Sequence, residues 1–178
     1  MPIFKWRANE GICFLIMTII IGIDPGSRRT GYGVIALHGN RHVHVASGCI
    51  ALNTSETQDR RLREIFLSLK QIVMTYQPQE AAIEQIFMHE NASSALKLGQ
   101  ARGAALVALD MPVAEYSARE VKKSVVGYGA AKKEQVQYMV RRLLNLPNQL
   151  SADASDALAV ALCHAQVRTL KKFIEARS

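Results

Sequence analysis

The pattern of apolar and polar positions divides the chain into short strands and amphipathic helices. Residues Ile19 to Ile23 form a nearly continuous apolar run rich in β-branched side chains, which is typical of a central strand covered on both faces. A second strand is predicted around Tyr32 to Leu37 and a third near His42 to Leu52, with a turn at HGN between them. Short turns between consecutive strands predict an antiparallel meander.

After the meander, helical and strand patterns alternate. Apolar residues at spacings of three and four from Leu62 to Tyr76 predict an amphipathic helix that ends before Pro78. Two further strands are predicted at residues 80–87 (EAAIEQIF) and 112–116 (PVAEY). Four further helices are predicted at residues 91–109, from the capping-box pattern of Ser117 and Glu120, at residues 130–146, and from Ser151 onward. The order βββ-α-β-α-β-α-α-α predicts an α/β fold, a mixed five-stranded sheet with helices on both faces.

The first residues of the chain carry an ambiguous signal. Basic residues Lys5 and Arg7 precede an apolar run from Ile12 to Ile21 that is too short to span a bilayer and has no small-residue cleavage site after it. We expect residues 1–16 to be an N-terminal extension, with Met17 as a candidate natural start, and residues 17–178 to form one domain. With no targeting signal and no CxxC pair, we expect a cytoplasmic protein without membrane association.

The charge balance favours a polyanionic partner. The chain has 22 Lys and Arg against 15 Asp and Glu, a net charge of +7 over 178 residues, which favours nucleic acid above other partners. Between residues 119 and 142 there are seven basic residues, Arg119, Lys122, Lys123, Lys132, Lys133, Arg141 and Arg142. Such a run is usually a solvated helix face, but a DNA-binding enzyme would use it for phosphate contacts.

Four carboxylates occupy positions where burial normally excludes charge. Asp24 ends the first strand, Glu84 lies in the fourth, and Asp153 and Asp156 share a face of the last helix. Each has an ordinary explanation: a turn residue for Asp24, a solvent-facing strand residue for Glu84, and a helix-terminal charge for Asp153. Asp156 is harder to explain in this way because alanine and leucine surround it. Together they could converge if the fourth strand pairs beside the first.

Convergence of like charges requires a positive charge between them. A divalent cation supplies it, and hard oxygen ligands suit Mg²⁺ or Mn²⁺. Two such ions would activate a water molecule, orient a phosphodiester and stabilise its leaving oxygen. The four carboxylates therefore indicate metal-dependent phosphodiester cleavage.

Five segments, in order, resemble the RuvC Holliday-junction resolvases of bacteria. They are GIDPGSRRTGYGVI, AIEQIFM, NASSALKLGQARG, REVKKSVVGYGAAKK and ADASDALAVALCH, and the similarity runs from about Met17 to the last helix. The resemblance implies a ribonuclease-H-like fold, a homodimer, and Mg²⁺-dependent cleavage of four-way DNA junctions by paired symmetric nicks that leave 5′-phosphate and 3′-hydroxyl ends. It also implies a RuvA–RuvB branch-migration complex as a partner.

The resemblance further implies roles for individual residues. The family's catalytic, metal-binding tetrad would fall on Asp24, Glu84, Asp153 and Asp156, with two Mg²⁺ ions per active site and Mn²⁺ as a substitute.

Basic and aromatic residues would complete the DNA site. Phe87 is similar to the aromatic residue that stacks on an unpaired base at the crossover, although it could also be a core residue. Lys122 and Lys133 match basic residues that act near the cleaved strand. Arg28 and Arg29, next to Asp24, could hold backbone phosphates.

Two other functions start from similar features. An ATPase of the actin, Hsp70 and sugar-kinase type also has a strand, an aspartate and a phosphate-binding turn, but it needs a second Asp-x-Gly turn and usually a second domain. Neither Asp153 nor Asp156 is followed by glycine, and 178 residues are too few. A binding module of the same fold that has lost cleavage is the second alternative, and the complete set of four carboxylates argues against it.

Overall fold

The computed structural model describes residues 17–39, 41–86, 92–146 and 150–175. The strands are β1 (Thr18–Asp24), β2 (Arg29–His38), β3 (Arg41–Ala51), β4 (Glu80–Glu84) and β5 (Val113–Tyr116). The helices are α1 (Gln58–Tyr76), α2 (Ala92–Leu109), α3 (Ala118–Val126), α4 (Lys133–Leu143) and α5 (Ala152–Glu175). This order confirms the predicted succession of strands and helices.

The strands form one mixed sheet in the order β3-β2-β1-β4-β5. β1, β2 and β3 pair antiparallel, which confirms the predicted meander. β4 lies parallel to β1 on one side and to β5 on the other, so the fourth strand does pair beside the first. The predicted α/β class with a mixed five-stranded sheet is therefore confirmed.

Each face of the sheet packs against its own helices. Ile21 and Ile23 of β1 are buried in a core with residues of α1 and α2. Ile20, which points to the opposite face, is buried with residues of α3, α4 and α5. Because strand side chains alternate between faces, Asp24 shares the α5 face with Ile20, and Glu84 shares it with Ala82.

Helix α5 lies directly on β1 and β2 because three glycines leave room for its backbone. A Cβ atom on Gly31 would lie 2.1 Å from the carbonyl oxygen of Asp153. A Cβ atom on Gly22 would lie 2.3 Å from the Ala157 carbonyl oxygen, and one on Gly33 would lie 2.7 Å from the Leu158 nitrogen. No side chain fits at these positions, so the first turns of α5 contact the sheet backbone itself.

Two strand boundaries differ from the prediction by more than one residue. β4 ends at Glu84 and not at residue 87, because its neighbour β5 ends at Tyr116, the partner of Glu84 in the ladder. β2 begins at Arg29, before the predicted Tyr32, since Arg29 still pairs with Ala51 of β3. Residues 1–16 and Phe87 lie outside the described residues. Within the described ranges, no helix combines the length and apolar character needed to cross a membrane.

Candidate active site

Asp24 and Glu84 lie side by side at one edge of the sheet. Ile23 of β1 pairs with Ile83 of β4 in parallel register, so the next residue of each strand is a carboxylate. Both strands end there, and both carboxylates belong to the α5 face. The structure therefore brings together the two strand carboxylates that the sequence predicted could converge.

The first turns of α5 add Asp153 and Asp156. The main chain of Asp153 packs on Gly31, and Gly31 is the β2 partner of Asp24. The Asp153 carboxylate accepts a hydrogen bond from Cys49 Sγ at 3.4 Å and lies 3.8 Å from Arg29 Nη1. Oδ2 of Asp156 forms an ion pair with Nζ of Lys133 at 2.6 Å.

The pKa values show that the carboxylates share one electrostatic environment. Burial, followed by the charges of Glu84 and Asp156, raises the pKa of Asp24 from 3.8 to about 7, and Asp153 adds to this increase. Burial and the Asp156 charge also raise the pKa of Glu84, against the opposing effect of Lys122 and Lys133. Four acidic side chains therefore interact at one place, with two lysines beside them.

Two cavities meet at Glu84. One, of about 230 Å³, is lined by Glu84, Asp156, Lys122 and Lys133 together with apolar residues of α3 and α4. The other, of about 270 Å³, has Asp24, Glu84, Pro25 and Leu98 in its lining. The carboxylates are thus reachable from solvent while remaining partly buried, as a site for an external substrate requires.

The turn after Asp24 has a fixed conformation. Thr30 is fully buried, and its Oγ1 donates to the Gly26 carbonyl oxygen at 3.2 Å. The Leu52 N–H donates to the Arg28 carbonyl oxygen at 3.0 Å, which ties the turn to the end of β3. Arg28 and Arg29 are both exposed here, and Arg29 Nη1 lies 3.8 Å from the Asp153 carboxylate.

The chemistry of the donor set fits a hard divalent cation. Burial first, and then repulsion by the neighbouring carboxylates, raises the pKa of Asp24 to about 7, and a cation would relieve both effects. Among the described residues, however, no three His, Cys, Asp or Glu side chains already lie close enough to surround a metal ion. The carboxylates share a site but do not form a ready coordination sphere, and Lys133 neutralises Asp156 directly.

Several features of the site were not predicted from the sequence. Cys49 and its hydrogen bond to Asp153 carried no local signal, nor did the pairing of Lys133 with Asp156. The close approach of α5 did carry a signal: Gly31 and Gly33 alternate at the start of the predicted second strand, and glycines in a strand often mark the close approach of another backbone. Phe87, predicted to stack on a base, cannot be placed because it lies outside the described residues.

A second polar cluster lies at the opposite end of β4. His164 Nε2 is 2.9 Å from Glu80 Oε2, and its Nδ1 is 2.8 Å from the Tyr116 hydroxyl. Arg168 Nε donates to the other Glu80 oxygen at 2.5 Å. Since Glu80 begins β4 and Glu84 ends it, this cluster is separate from the carboxylate site.

Comparisons with known proteins agree with the sequence motifs. A family model described as "Crossover junction endodeoxyribonuclease RuvC" matches residues 20–164. A protein of that description from Shewanella sp. (strain W3-18-1) is 56% identical over 155 residues, covering 85% of this chain and 89% of the relative. A second from Citrifermentans bemidjiense is 55% identical over 150 residues, covering 83% and 92%.

A solved structure supports the same relationship. The Thermus thermophilus RuvC structure in complex with a Holliday junction substrate is 31% identical, with a TM-score of 0.81, and the match covers 86% of this chain and 96% of that one. The match confirms the predicted ribonuclease-H-like fold.

Proposed function

The chain belongs to the RuvC family of crossover junction endodeoxyribonucleases, and from this membership we propose that it resolves four-way DNA junctions in recombination and repair. The observation that supports this function best is the shared site of Asp24, Glu84, Asp153 and Asp156. A net charge of +7 suits a DNA substrate.

In this proposal the four carboxylates hold two Mg²⁺ ions, for which Mn²⁺ can substitute. When bound, the ions supply an activated water molecule and a positive charge for the scissile phosphate. Asp24 and Glu84 are held by the ends of two paired strands, so their main-chain positions are fixed before substrate binds. The reaction leaves 5′-phosphate and 3′-hydroxyl ends.

Cationic side chains around the carboxylates bind the DNA backbone. Lys122 and Lys133 line the cavity that contains Glu84 and Asp156, where their ammonium groups can meet a phosphate oxygen. Arg28 and Arg29 are exposed on the adjoining turn and can contact the next phosphates of the strand. Phe87 is proposed to stack on an unpaired base at the crossover.

Paired symmetric nicks require two active sites, which we propose a homodimer provides. Helix α2 carries an exposed stripe, Leu96, Gly103 and Val107, with exposed fractions of 65% for Leu96 and 68% for Val107. Nothing lies within 4 Å of a Cβ placed on Gly103, so a second helix could approach closely. A RuvA–RuvB branch-migration complex is the proposed protein partner.

A cleavage assay tests the function. Labelled four-way junction and linear duplex of the same sequence are incubated with the protein, with Mg²⁺ or with EDTA. We expect Mg²⁺-dependent, paired cuts in the junction only, and products that DNA ligase can seal without prior end treatment. Equal cutting of linear duplex would contradict a junction resolvase, and junction binding without any cutting would favour the binding-module alternative.

A further inference from the structure

Cys49 lies in the same row of the sheet as Asp24. Asp24 of β1 pairs with Gly31 of β2, and Gly31 pairs with Cys49 of β3. Residues that pair across neighbouring strands share a face of the sheet, so the Cys49 side chain lies on the face that carries Asp24. Because Gly31 has no side chain, the main chain of Asp153 occupies the space above it. Cys49 therefore borders the carboxylate site on the side opposite Glu84.

The thiol of Cys49 holds one oxygen of the Asp153 carboxylate. It donates a hydrogen bond to Asp153, with 3.4 Å between Sγ and Oδ2. Burial, and then this hydrogen bond, raises the pKa of Cys49, so the thiol keeps its proton at neutral pH. A neutral donor orients a carboxylate without removing its negative charge, whereas Lys133 neutralises Asp156 through an ion pair. Asp153 thus keeps its charge for a cation.

Arg29 approaches the same oxygen less closely. Its Nη1 lies 3.8 Å from Oδ2 of Asp153, which is beyond hydrogen-bonding distance, and its side chain is 67% exposed. An exposed ion pair of this kind does little to fix a geometry. The polar contacts that the Asp153 carboxylate makes with other described side chains both use Oδ2, which leaves Oδ1 for a ligand.

Hydrogen bonds of this type are common around metal sites, where a second group holds the ligand in its binding orientation. We propose that Cys49 is a positioning residue for Asp153, and that its thiol holds Oδ2 so that Oδ1 faces the cation site shared with Asp24. The inference rests on the metal-dependent cleavage proposed above. It gives a role to β3, a strand that supplies none of the four carboxylates.

Cys49→Ala and Cys49→Ser separate positioning from packing. Both new side chains are smaller than cysteine, but serine keeps a hydroxyl donor, so only a positioning role predicts rescue by serine. Mg²⁺ is titrated into the full-length protein without DNA, and thermal denaturation reports binding to the folded state. For a given rise in melting temperature we expect Cys49→Ala to need about tenfold more Mg²⁺ than the wild type, a typical loss for a group that supports a metal ligand. Cys49→Ser should need close to the wild-type concentration.

Junction cleavage gives a second measurement. In Cys49→Ala the Mg²⁺ concentration for the half-maximal rate should rise by a similar factor. The rate at saturating Mg²⁺ should approach that of the wild type, because all four carboxylates remain. Cys163→Ala is the control, since it removes a buried thiol from α5 that lies roughly 15 Å along the helix from Asp153. It should leave the Mg²⁺ requirement unchanged even if it lowers stability.

An unchanged Mg²⁺ requirement for Cys49→Ala would overturn the inference. An equal increase in the alanine and serine variants would also overturn it, in favour of packing. A decrease would do the same, by showing that the thiol holds Asp153 away from the cation.

Infrared spectroscopy of the wild type decides the question if Cys49→Ala does not fold. The S–H stretching band of Cys49, identified by its loss in Cys49→Ser, should move to higher frequency when Mg²⁺ is added, because a metal-bound carboxylate is a weaker acceptor. A band that does not move would overturn the inference. Absence of both Mg²⁺ stabilisation and junction cleavage in the wild type would instead refute the proposed function.

Discussion

The ammonium group of Lys133 lies 2.6 Å from the Asp156 carboxylate, so the first residue of α4 places a positive charge on the first turns of α5. The hydrogen bond to Asp156 raises the pKa of Lys133, which keeps the lysine charged at neutral pH. The same charge partly offsets the burial and the repulsion that raise the pKa values of Asp24 and Glu84. One lysine therefore opposes the repulsion among the carboxylates from a position on a different helix.

Replacing Lys133 with methionine should move the pH dependence of cleavage. Without the ammonium group the pKa of Asp24 rises further, so more alkaline conditions are needed to ionise it. We expect the midpoint of cleavage rate against pH to move upward, and a rise of about one pH unit from about 7 would lower the rate at pH 7 about fivefold. Lys132→Met, which removes the adjacent exposed lysine, is the control. An unchanged midpoint for Lys133→Met would contradict this electrostatic role.

Removing single carboxylates should stop cleavage but not binding. Asp24→Asn, Glu84→Gln and Asp156→Asn each delete a ligand of the proposed metal ions, and we expect cleavage rates to fall about a thousandfold, or about 4 kcal/mol. Junction affinity, measured by gel shift, should remain because phosphate contacts supply most of it. Asp59→Asn changes an exposed carboxylate on α1 and should have no effect. Undiminished Mg²⁺-dependent nicking by the tetrad variants would exclude the assigned role.

Asp24 should destabilise the metal-free protein at neutral and alkaline pH. Its pKa is about 7 in the folded protein and 3.8 as the ordinary value, so between these values the folded state binds more protons than the unfolded state. The free energy of unfolding therefore falls as the pH rises from about 4 to about 7. Asp24→Asn should stabilise the protein at pH values around 8 by up to about 4 kcal/mol, since a pKa difference of one corresponds to about 1.4 kcal/mol.

Denaturant unfolding in EDTA measures this effect. The advantage of Asp24→Asn should shrink as the pH approaches about 4, where Asp24 is protonated in the folded state and increasingly so in the unfolded state. Addition of Mg²⁺ at alkaline pH should stabilise the wild type more than the variant, because binding to the folded state adds to stability. Equal stability of the two proteins in EDTA at all pH values would contradict a raised pKa for Asp24 in the folded protein.

Gly31→Ala should damage both stability and cleavage. Its new Cβ would lie 2.1 Å from the Asp153 carbonyl oxygen, so α5 or β2 must move. Overpacking of this kind typically costs about 1–3 kcal/mol, which urea unfolding would detect, and it would displace Asp153 from its place beside Asp24. A fully active, equally stable Gly31→Ala protein would refute the close contact.

The fold could be predicted because local patterns and pairing agree. The apolar run of β1, the period of α1 and the capping box at Ser117 each predict an element that the structure contains. The capping box is complete, with the Ser117 N–H donating to Glu120 Oε2 at 2.8 Å. Asp24 and Glu84 could be associated because parallel strands end at one edge of the sheet.

Features that depend on distant residues could not be predicted. Where β4 stops is decided by the end of β5 at Tyr116, about thirty residues later, and no local pattern encodes that pairing. The contact of Lys133 with Asp156 depends on how α4 packs against α5, which no local pattern encodes. The hydrogen bond between Cys49 and Asp153 likewise joins residues 104 positions apart.

Side chains of β1 alternate between the two faces of the sheet, so the position of Asp24 depends on the length of the strand as well as on the identity of its residues. Ile20 and Asp24 share one face, while Ile21 and Ile23 share the other. Inserting or deleting one residue within this strand would turn the aspartate toward α1 and α2, and would push an isoleucine toward the nuclease pocket. A homologue can therefore exchange one aliphatic side chain for another along β1. A change in the length of β1 by one residue, however, would inactivate the protein even though all four acidic residues were still present in its sequence.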